Sequence, residues 1–260
     1  MRKVKPSILL TFDVEEFDLP LEYNLQISAE EQMLIGRLGT LEIQELLTFQ
    51  KTPSTLFTTA TFAEHHVNLL KALSTENEIA SHTFYHSSFD KEDLLNSRLV
   101  LQNISGQEIN GLRMPRFKKI DTSWVSDAGY NYDSSINPTY IPGRYNNLKI
   151  SRTIYKENDF FRFPVSVTPN FRIPLFWMLF KNIPYKVYKK LALETLKKDG
   201  YLSLYFHPWE FTDISKWKIP FYLKKHSQGQ LTVKLNQLIT DLKKEAEFET
   251  ITNFLSKKII

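Results

Sequence analysis

Glu78-Ile79-Ala80-Ser81 is a short strand-like run that opens straight into His82-Thr83-Phe84-Tyr85-His86, two imidazoles four positions apart. On a helical turn, positions i and i+4 stack on one face. A solvated surface pair is the plain alternative for any two histidines at this spacing. Here a strand-like run delivers the pair, which places it where a buried strand opens into a loop. Ligands at strand ends are how α/β barrels build their sites. Two neutral imidazoles and one carboxylate, with a coordination position left open, make a catalytic metal site that holds a water. Thr11-Phe12-Asp13-Val14-Glu15 supplies the candidate carboxylates, at the end of an apolar run.

Working outward, strands alternate with helices. Ile8 to Phe12 reads as a buried strand, and Glu30 to Gln50 has helical spacing before the stop at Thr52-Pro53. Thr55 to Thr59 is β-branched and aromatic, hence a strand, and Phe62 to Ser74 is helical. Asp90 to Ile104 reads as a helix capped by Asp90, and Ser123 to Ala128 as a short helix ended by Gly129. Tyr201 to Phe206 is a strong strand ending at His207-Pro208-Trp209-Glu210. Leu231 to Glu245 is a closing amphipathic helix, and Phe248 to Ile251 a last strand. This order predicts an α/β fold, a parallel sheet covered by helices, as an open sheet or a barrel. One domain is expected over residues 1–260. Ionisable groups recur at the carboxyl ends of separate strands: Asp13 with Glu15, His82 with His86, Arg113, and His207. That edge is where parallel sheets form their sites.

Composition narrows the classes of function. The net charge of +4 is mild for 260 residues and does not indicate nucleic acid. Lysine clusters over Lys181 to Lys190 and Lys216 to Lys225 read first as solvated faces, and otherwise as contacts for phosphate or a membrane surface. The 19 Phe, 12 Tyr and 4 Trp suit a rich core or a carbohydrate-facing surface. With no cysteine there is neither a disulfide framework nor a thiolate site. Met1 to Pro6 lacks the pattern of a secretory signal, and no run approaches the roughly 20 apolar residues of a membrane span. A cytoplasmic protein is the expectation.

In this order the blocks resemble the polysaccharide deacetylase family (the NodB homology domain, carbohydrate esterase family 4). Thr11-Phe12-Asp13-Val14-Glu15 is similar to its first motif and Ser81-His82-Thr83-Phe84-Tyr85-His86 to its second. Arg113-Met114-Pro115-Arg116 is similar to the Arg-x-Pro motif, and Leu204-Tyr205-Phe206-His207 to the late Leu-x-x-His element. The resemblance covers roughly residues 7 to 255. It is strongest to the branch with Asp-Val-Glu and His-Pro-Trp-Glu motifs, common in exopolysaccharide and capsule gene clusters. Asp127 to Ser135 is similar to that branch's Gly-Tyr-x-Tyr-Asp-Ser-Ser block.

The resemblance implies a distorted (β/α) barrel with fewer than eight complete units, NodB-like and seven-stranded. It also implies one divalent ion, Zn²⁺ or else Co²⁺, Ni²⁺ or Fe²⁺, held by Glu15, His82 and His86. Val14 stands where the common motif has its ligand Asp, and Glu15 takes over that role one residue on. Asp13 is then the general base, Arg113 its orienting partner, and His207 the general acid, with Asp133 as the carboxylate beside it. Arg116, Asp133 and Trp209 are the implied substrate contacts, although Arg116 stands where many relatives carry an aromatic residue. The implied activity is removal of an N-acetyl group from an amino sugar in a bacterial glycan or glycan precursor. Two alternatives stay open: a non-enzymatic carbohydrate-binding protein with an impaired site, and a metal-independent hydrolase of small cyclic amides. Phe171 to Phe180, with Lys181, Lys186, Lys189 and Lys190, reads either as buried helix packing or as a rim that meets a lipid-linked precursor at the membrane.

Overall fold

The computed structural model of the chain describes residues 5–157 and 160–259. Most of the amino-terminal stretch read above for a secretory signal, residues 1–4, lies outside them. Among the described residues, no helix is long and apolar enough to cross a membrane.

The strands are β1 (Ser7–Val14), β2 (Thr55–Thr58), β3 (Glu78–Ser81), β4 (Gly111–Leu112), β5 (Tyr132–Asp133), β6 (Tyr140–Ile141), β7 (Tyr145–Asn146), β8 (Tyr155–Glu157), β9 (Phe160–Arg162), β10 (Tyr201–Phe206) and β11 (Glu247–Phe248). One sheet runs β10-β1-β2-β3-β4-β5-β9-β8, with β11 pairing the start of β1. From β10 to β9 every pairing is parallel, which gives the seven-stranded path expected of the distorted barrel. β8 is added antiparallel to β9. Among the described residues, no strand pairing joins β10 to β8 or β9. Instead the segment after β9 reaches β10, where the Ser166 N–H donates to the Ser203 carbonyl and the Ser203 N–H to Ser166 Oγ.

Strand periodicity decides which groups enter the barrel. Along β1, Ile8, Leu10 and Phe12 pack outward under the helices, whereas Leu9 joins Phe57, Ala80, Tyr132 and Phe163 inside. Thr11 and Asp13 follow Leu9 on the inner face. The helices are α1 (Ala29–Gln50), α2 (Ala60–His65), α3 (Val67–Leu73), α4 (Asp93–Ser105), α5 (Thr122–Asp127), α6 (Trp177–Asn182), α7 (Tyr185–Asp199), α8 (Phe221–Lys224), α9 (Gly229–Leu242) and α10 (Ile251–Ile259). Ile251, Phe254 and Leu255 of α10 join the interior cluster. Ser7 and Thr55, at the starts of β1 and β2, hydrogen-bond Glu249 and Ile251. The helix therefore plugs the amino-terminal end and leaves the opposite end for the site.

Three local expectations need correction. The helix expected over Phe62 to Ser74 is two helices broken at His66, whose φ of −129° is not helical. Asp90 does not cap the next helix, which starts at Asp93; the Asp90 N–H instead donates to Asp93 Oδ2. The last strand stops at Phe248, and Ile251 already begins α10.

α1 comes unusually close to the strand ends. A Cβ at Gly36 would fall 2.3 Å from the Glu15 carbonyl oxygen, and one at Gly39 would fall 2.1 Å from that of Pro208. Two glycines on one helix face thus let it rest directly on the backbones that carry Glu15 and His207.

Candidate metal centre

His82 and His86 do meet, but through a loop rather than a helical turn. Residues 82–86 are non-helical, and Thr83 takes a left-handed φ of 65°. That strained turn is held by hydrogen bonds from the Thr83 N–H to Ser81 Oγ and from Thr83 Oγ1 to the Tyr85 carbonyl. The start of α2 adds two more, from the Ala60 and Thr61 N–H groups to the Thr83 and Phe84 carbonyls. The imidazoles end up stacked, with ring centroids 5.6 Å apart.

Both rings present Nε2 to one oxygen of Glu15: His82 Nε2 lies 3.1 Å and His86 Nε2 3.0 Å from Glu15 Oε2. The other ring nitrogens are committed. His82 Nδ1 lies 2.7 Å from the Arg113 carbonyl, which can only accept, so Nδ1 carries a proton. His86 Nδ1 lies 2.9 Å from Asp18 Oδ2, not aligned as a hydrogen bond, but a carboxylate at that distance likewise calls for a proton on Nδ1. In the neutral rings, therefore, two nitrogen lone pairs face a carboxylate oxygen. That oxygen is buried and, despite its neighbours, has no aligned hydrogen-bond partner. Such an arrangement is repulsive unless a cation sits among the three atoms or both rings are protonated. Glu15, His82 and His86 are buried, and their ligand atoms lie within 4.8 Å of one another. The donor set therefore fits a divalent ion of the zinc type, with each imidazole oriented through its second nitrogen.

The electrostatics favour positive charge among these groups. Burial raises the Glu15 carboxyl, but His86, His82 and His207 outweigh it and hold it well below the usual range. Burial disfavours imidazolium at His86, yet Glu15 and Asp18 push it up to about 9. The remaining Glu15 oxygen, Oε1, accepts from Trp209 Nε1 at 3.0 Å.

Asp13 stands beside this group on β1. Arg113 Nη1 donates to Asp13 Oδ1 at 2.5 Å and to Thr11 Oγ1 at 3.0 Å, and Nη2 donates to Ser134 Oγ at 3.0 Å. The guanidinium is fully buried, 3.9 Å from the centroid of Phe57. Asp13 Oδ2 is left facing His207 Nε2 at 3.9 Å.

The carboxylate beside His207 is Glu210 and not Asp133. Glu210 Oε1 accepts the His207 backbone N–H at 2.8 Å and lies 3.3 Å from Nδ1. Burial opposes protonation of His207, but Glu210, Glu15 and Asp13 raise its pKa. Asp133 is a fully buried structural group. Its Oδ1 accepts from the Ser135 N–H, and its Oδ2 lies 3.1 Å from Arg162 Nε. Trp209 is buried as well: its indole stacks on His207 at 4.9 Å and supports Glu15, so it offers no open platform. Arg116 lines the mouth, but its guanidinium is occupied by Asp18 at 2.8 Å, Glu22 at 2.5 Å and the His86 carbonyl at 3.0 Å. Asp18 carries no motif or spacing that singles it out. Glu210 had a signal: it stands three residues after His207, the spacing at which a Glu returns to the backbone N–H that opens a turn.

The candidate rim over Phe171 to Phe180 divides: Leu175, Trp177 and Phe180 pack inward, whereas Phe171 is exposed. Trp177, Phe180 and Lys181 are buried, and Lys189 pairs with Asp241 at 2.8 Å. Trp177 meets His207 edge-on at 5.2 Å. The site opens into a cavity of about 170 Å³, lined by Asp13, Glu15, His82, His86, Tyr145 and Tyr205 among others. A broader cleft of about 1440 Å³ adjoins it, sharing His86, Met114, Arg116, Phe117, Arg144 and Tyr145.

No family model matches the chain, and no curated protein does. Solved structures do. A Mycobacterium smegmatis protein described as a polysaccharide deacetylase superposes with a TM-score of 0.65 at 15% identity, covering 99% of this chain and 91% of that one. An allantoinase superposes with a TM-score of 0.65 at 14% identity, covering 95% and 88%. A Bacillus anthracis pseudoenzyme of carbohydrate esterase family 4 superposes with a TM-score of 0.54 at 12% identity, covering 96% and 65%. The architecture is thus the distorted (β/α) barrel of the polysaccharide deacetylases. That fold is shared by a deacetylase, an allantoinase and an inactive relative, so activity has to be argued from the site.

Proposed function

We propose that this chain is a metal-dependent hydrolase that removes an N-acetyl group from an amino sugar in a bacterial glycan or glycan precursor. The observation that carries this is the convergence of His82 Nε2 and His86 Nε2 on the orphaned Glu15 Oε2, with Asp13 and His207 on either side. A divalent ion bound by Glu15, His82 and His86, zinc or else cobalt, nickel or iron(II), would supply Lewis acidity for the acyl oxygen and for water.

The chain's own groups divide the proton work. Arg113 binds Asp13 Oδ1 and orients the carboxylate, so Oδ2 is free to take a proton from the attacking water. His207 keeps its Nδ1 proton toward Glu210 and directs Nε2 into the cavity, where it gives a proton to the departing nitrogen. The C–N bond breaks, and the products are acetate and a free amine. Trp177, Tyr205 and Trp209 surround the His207 ring and limit water around it. The adjoining cleft has room for sugars beyond the reacting one. With base, acid and ligand set all present, a purely carbohydrate-binding role leaves Asp13, Arg113 and His207 without a purpose. Intact His82 and His86 weigh against the metal-independent hydrolase of cyclic amides.

The test is direct: purified protein is analysed for metal and incubated with a panel of N-acetylated glycans and lipid-linked precursors. Stoichiometric metal and release of acetate are expected. Metal-free protein that still hydrolyses small cyclic amides would overturn the proposal.

A further inference from the structure

Lys181 is a lysine with no exposed side chain, which is rare unless the charge is answered. It projects from α6, and Nζ lies 3.3 Å from Glu210 Oε2, with both side chains wholly buried. Nζ also donates to the Leu223 carbonyl at 2.9 Å and stands 5.6 Å from the Trp177 ring centroid. The Leu223 bond ties α6 to α8, and a neutral donor would do that as well. Among the described residues the charge is answered by Glu210 alone. Glu210 Oε2 has no aligned hydrogen bond and rests on this ion pair, while Oε1 serves His207.

We infer that Lys181 is a positioning residue for His207: through the shared carboxylate of Glu210 it offsets part of the field on the imidazole and sets the pH at which His207 holds its Nε2 proton. This deepens the function proposed above, since it rests on His207 as the proton donor. A buried ion pair is a poor source of stability, because desolvation cancels much of the attraction. Its presence directly behind an acid–base histidine therefore calls for another account. Glu210 against Nδ1 strengthens the hold of the imidazole on its proton. A cation on the far oxygen weakens that hold without removing the hydrogen bond that orients the ring.

The other charges around His207 are few. Asp13 faces Nε2 from β1, with Arg113 bonded to its other oxygen, and Glu15 lies further along the same strand end. Tyr205 on β10, Trp177 on α6 and Trp209 present only rings. Lys181 is the one cation that acts on His207 through Glu210 among the described residues.

The test is a pH titration of the His207 ring by NMR on protein labelled at histidine, purified with the metal it carries. Lys181→Met is expected to raise the His207 midpoint by about one unit, the low end of the effect of a nearby charge. Glu210→Gln is expected to lower it, and Lys181→Arg to leave it in place. Lys181→Gln, which can still donate to Leu223, replaces the methionine variant if that one fails to fold. The basic limb of the kcat/KM profile should follow the same two opposite shifts. An unmoved or lowered His207 midpoint on loss of the lysine charge overturns the inference. Because the titration is read without substrate, it stands apart from acetate release, whose absence would count against the proposed function instead.

Discussion

Arg113 grips Asp13 by one oxygen only, 2.5 Å from Nη1 to Oδ1, and leaves Oδ2 turned toward His207 Nε2 at 3.9 Å. The pairing fixes the carboxylate's plane and spares the atom that must exchange a proton. Asp13 therefore differs in kind from Glu15, two residues on, whose Oε2 is enclosed by two imidazoles. Asp13→Asn is expected to retain metal and to lower turnover by about 10²–10⁴-fold, the usual range for loss of acid–base catalysis. Glu15→Ala is expected to lose metal. Elemental analysis beside acetate release distinguishes them, and a reversed pattern would exchange the two roles.

Removing the metal should take away the cation that joins Glu15 to the two imidazoles. Dialysis against a chelator is expected to abolish acetate release and lower Tm, and re-addition to restore both. At a metal concentration 1,000 times Kd, binding stabilises by about 4 kcal/mol. His82→Ala should melt alike with and without chelator. A chelator-dependent Tm in that variant would place the metal elsewhere.

Acid should unfold the protein partly through Asp18 and Glu15. Burial raises Asp18, but His86 and Arg116 outweigh it and hold it below the usual carboxylate range. Glu15 is held well below that range too. A carboxylate with a depressed folded pKa contributes stability that is full above its unfolded pKa of about 4 and is lost as pH falls through the folded value. Tm should therefore drop as the pH falls below about 4, and Asp18→Asn should flatten the drop while lowering Tm at neutral pH. Thermal melts between those conditions measure it. A variant with the same acid slope as the parent would remove Asp18 from the account.

The glycine contacts of α1 predict an asymmetric cost. At Gly36 a methyl group meets the Glu15 carbonyl, a backbone atom fixed by β1, so the helix has to move. Gly36→Ala is expected to cost about 1–3 kcal/mol in a urea melt, typical of overpacking, and to weaken metal binding by shifting Glu15. Gly229, with open space around its Cβ position, is the control, and Gly229→Ala should leave both measurements near the parent's.

What the sequence revealed and what it hid divide along a physical line. β1 is legible because a buried parallel strand carries an apolar run such as Ile8 to Leu10, and period two then puts Asp13 on the inner face. The histidine pair was legible by spacing, but its geometry was not, since Thr83 in a left-handed conformation carries no signature in a non-glycine residue. Partners supplied across the fold were hidden. Asp18 reaches His86 from a different loop, and Lys181 reaches Glu210 from a helix whose lysines look solvated in one dimension. Asp133 was drawn toward His207 by a motif, whereas Arg162 and Ser135 hold it at the end of β5.

Trp209 offers the sharpest separation between a substrate contact and a support. Its ring is buried, stacks on His207 and packs against Phe17 at 5.2 Å, and its one polar atom is spent on Glu15 Oε1 at 3.0 Å. That hydrogen bond sets the rotation of the Glu15 carboxylate and so the direction of Oε2. Trp209→Phe keeps most of the ring packing and deletes only the donor. It is expected to weaken metal affinity by about 10–100-fold, as loss of an outer partner of a ligand does, while KM for a glycan at saturating metal stays near the parent value. A platform for sugar stacking would behave oppositely, with metal affinity unchanged and KM raised. Metal titration by competition with a chelator, followed by kinetics at excess metal, tells the two apart.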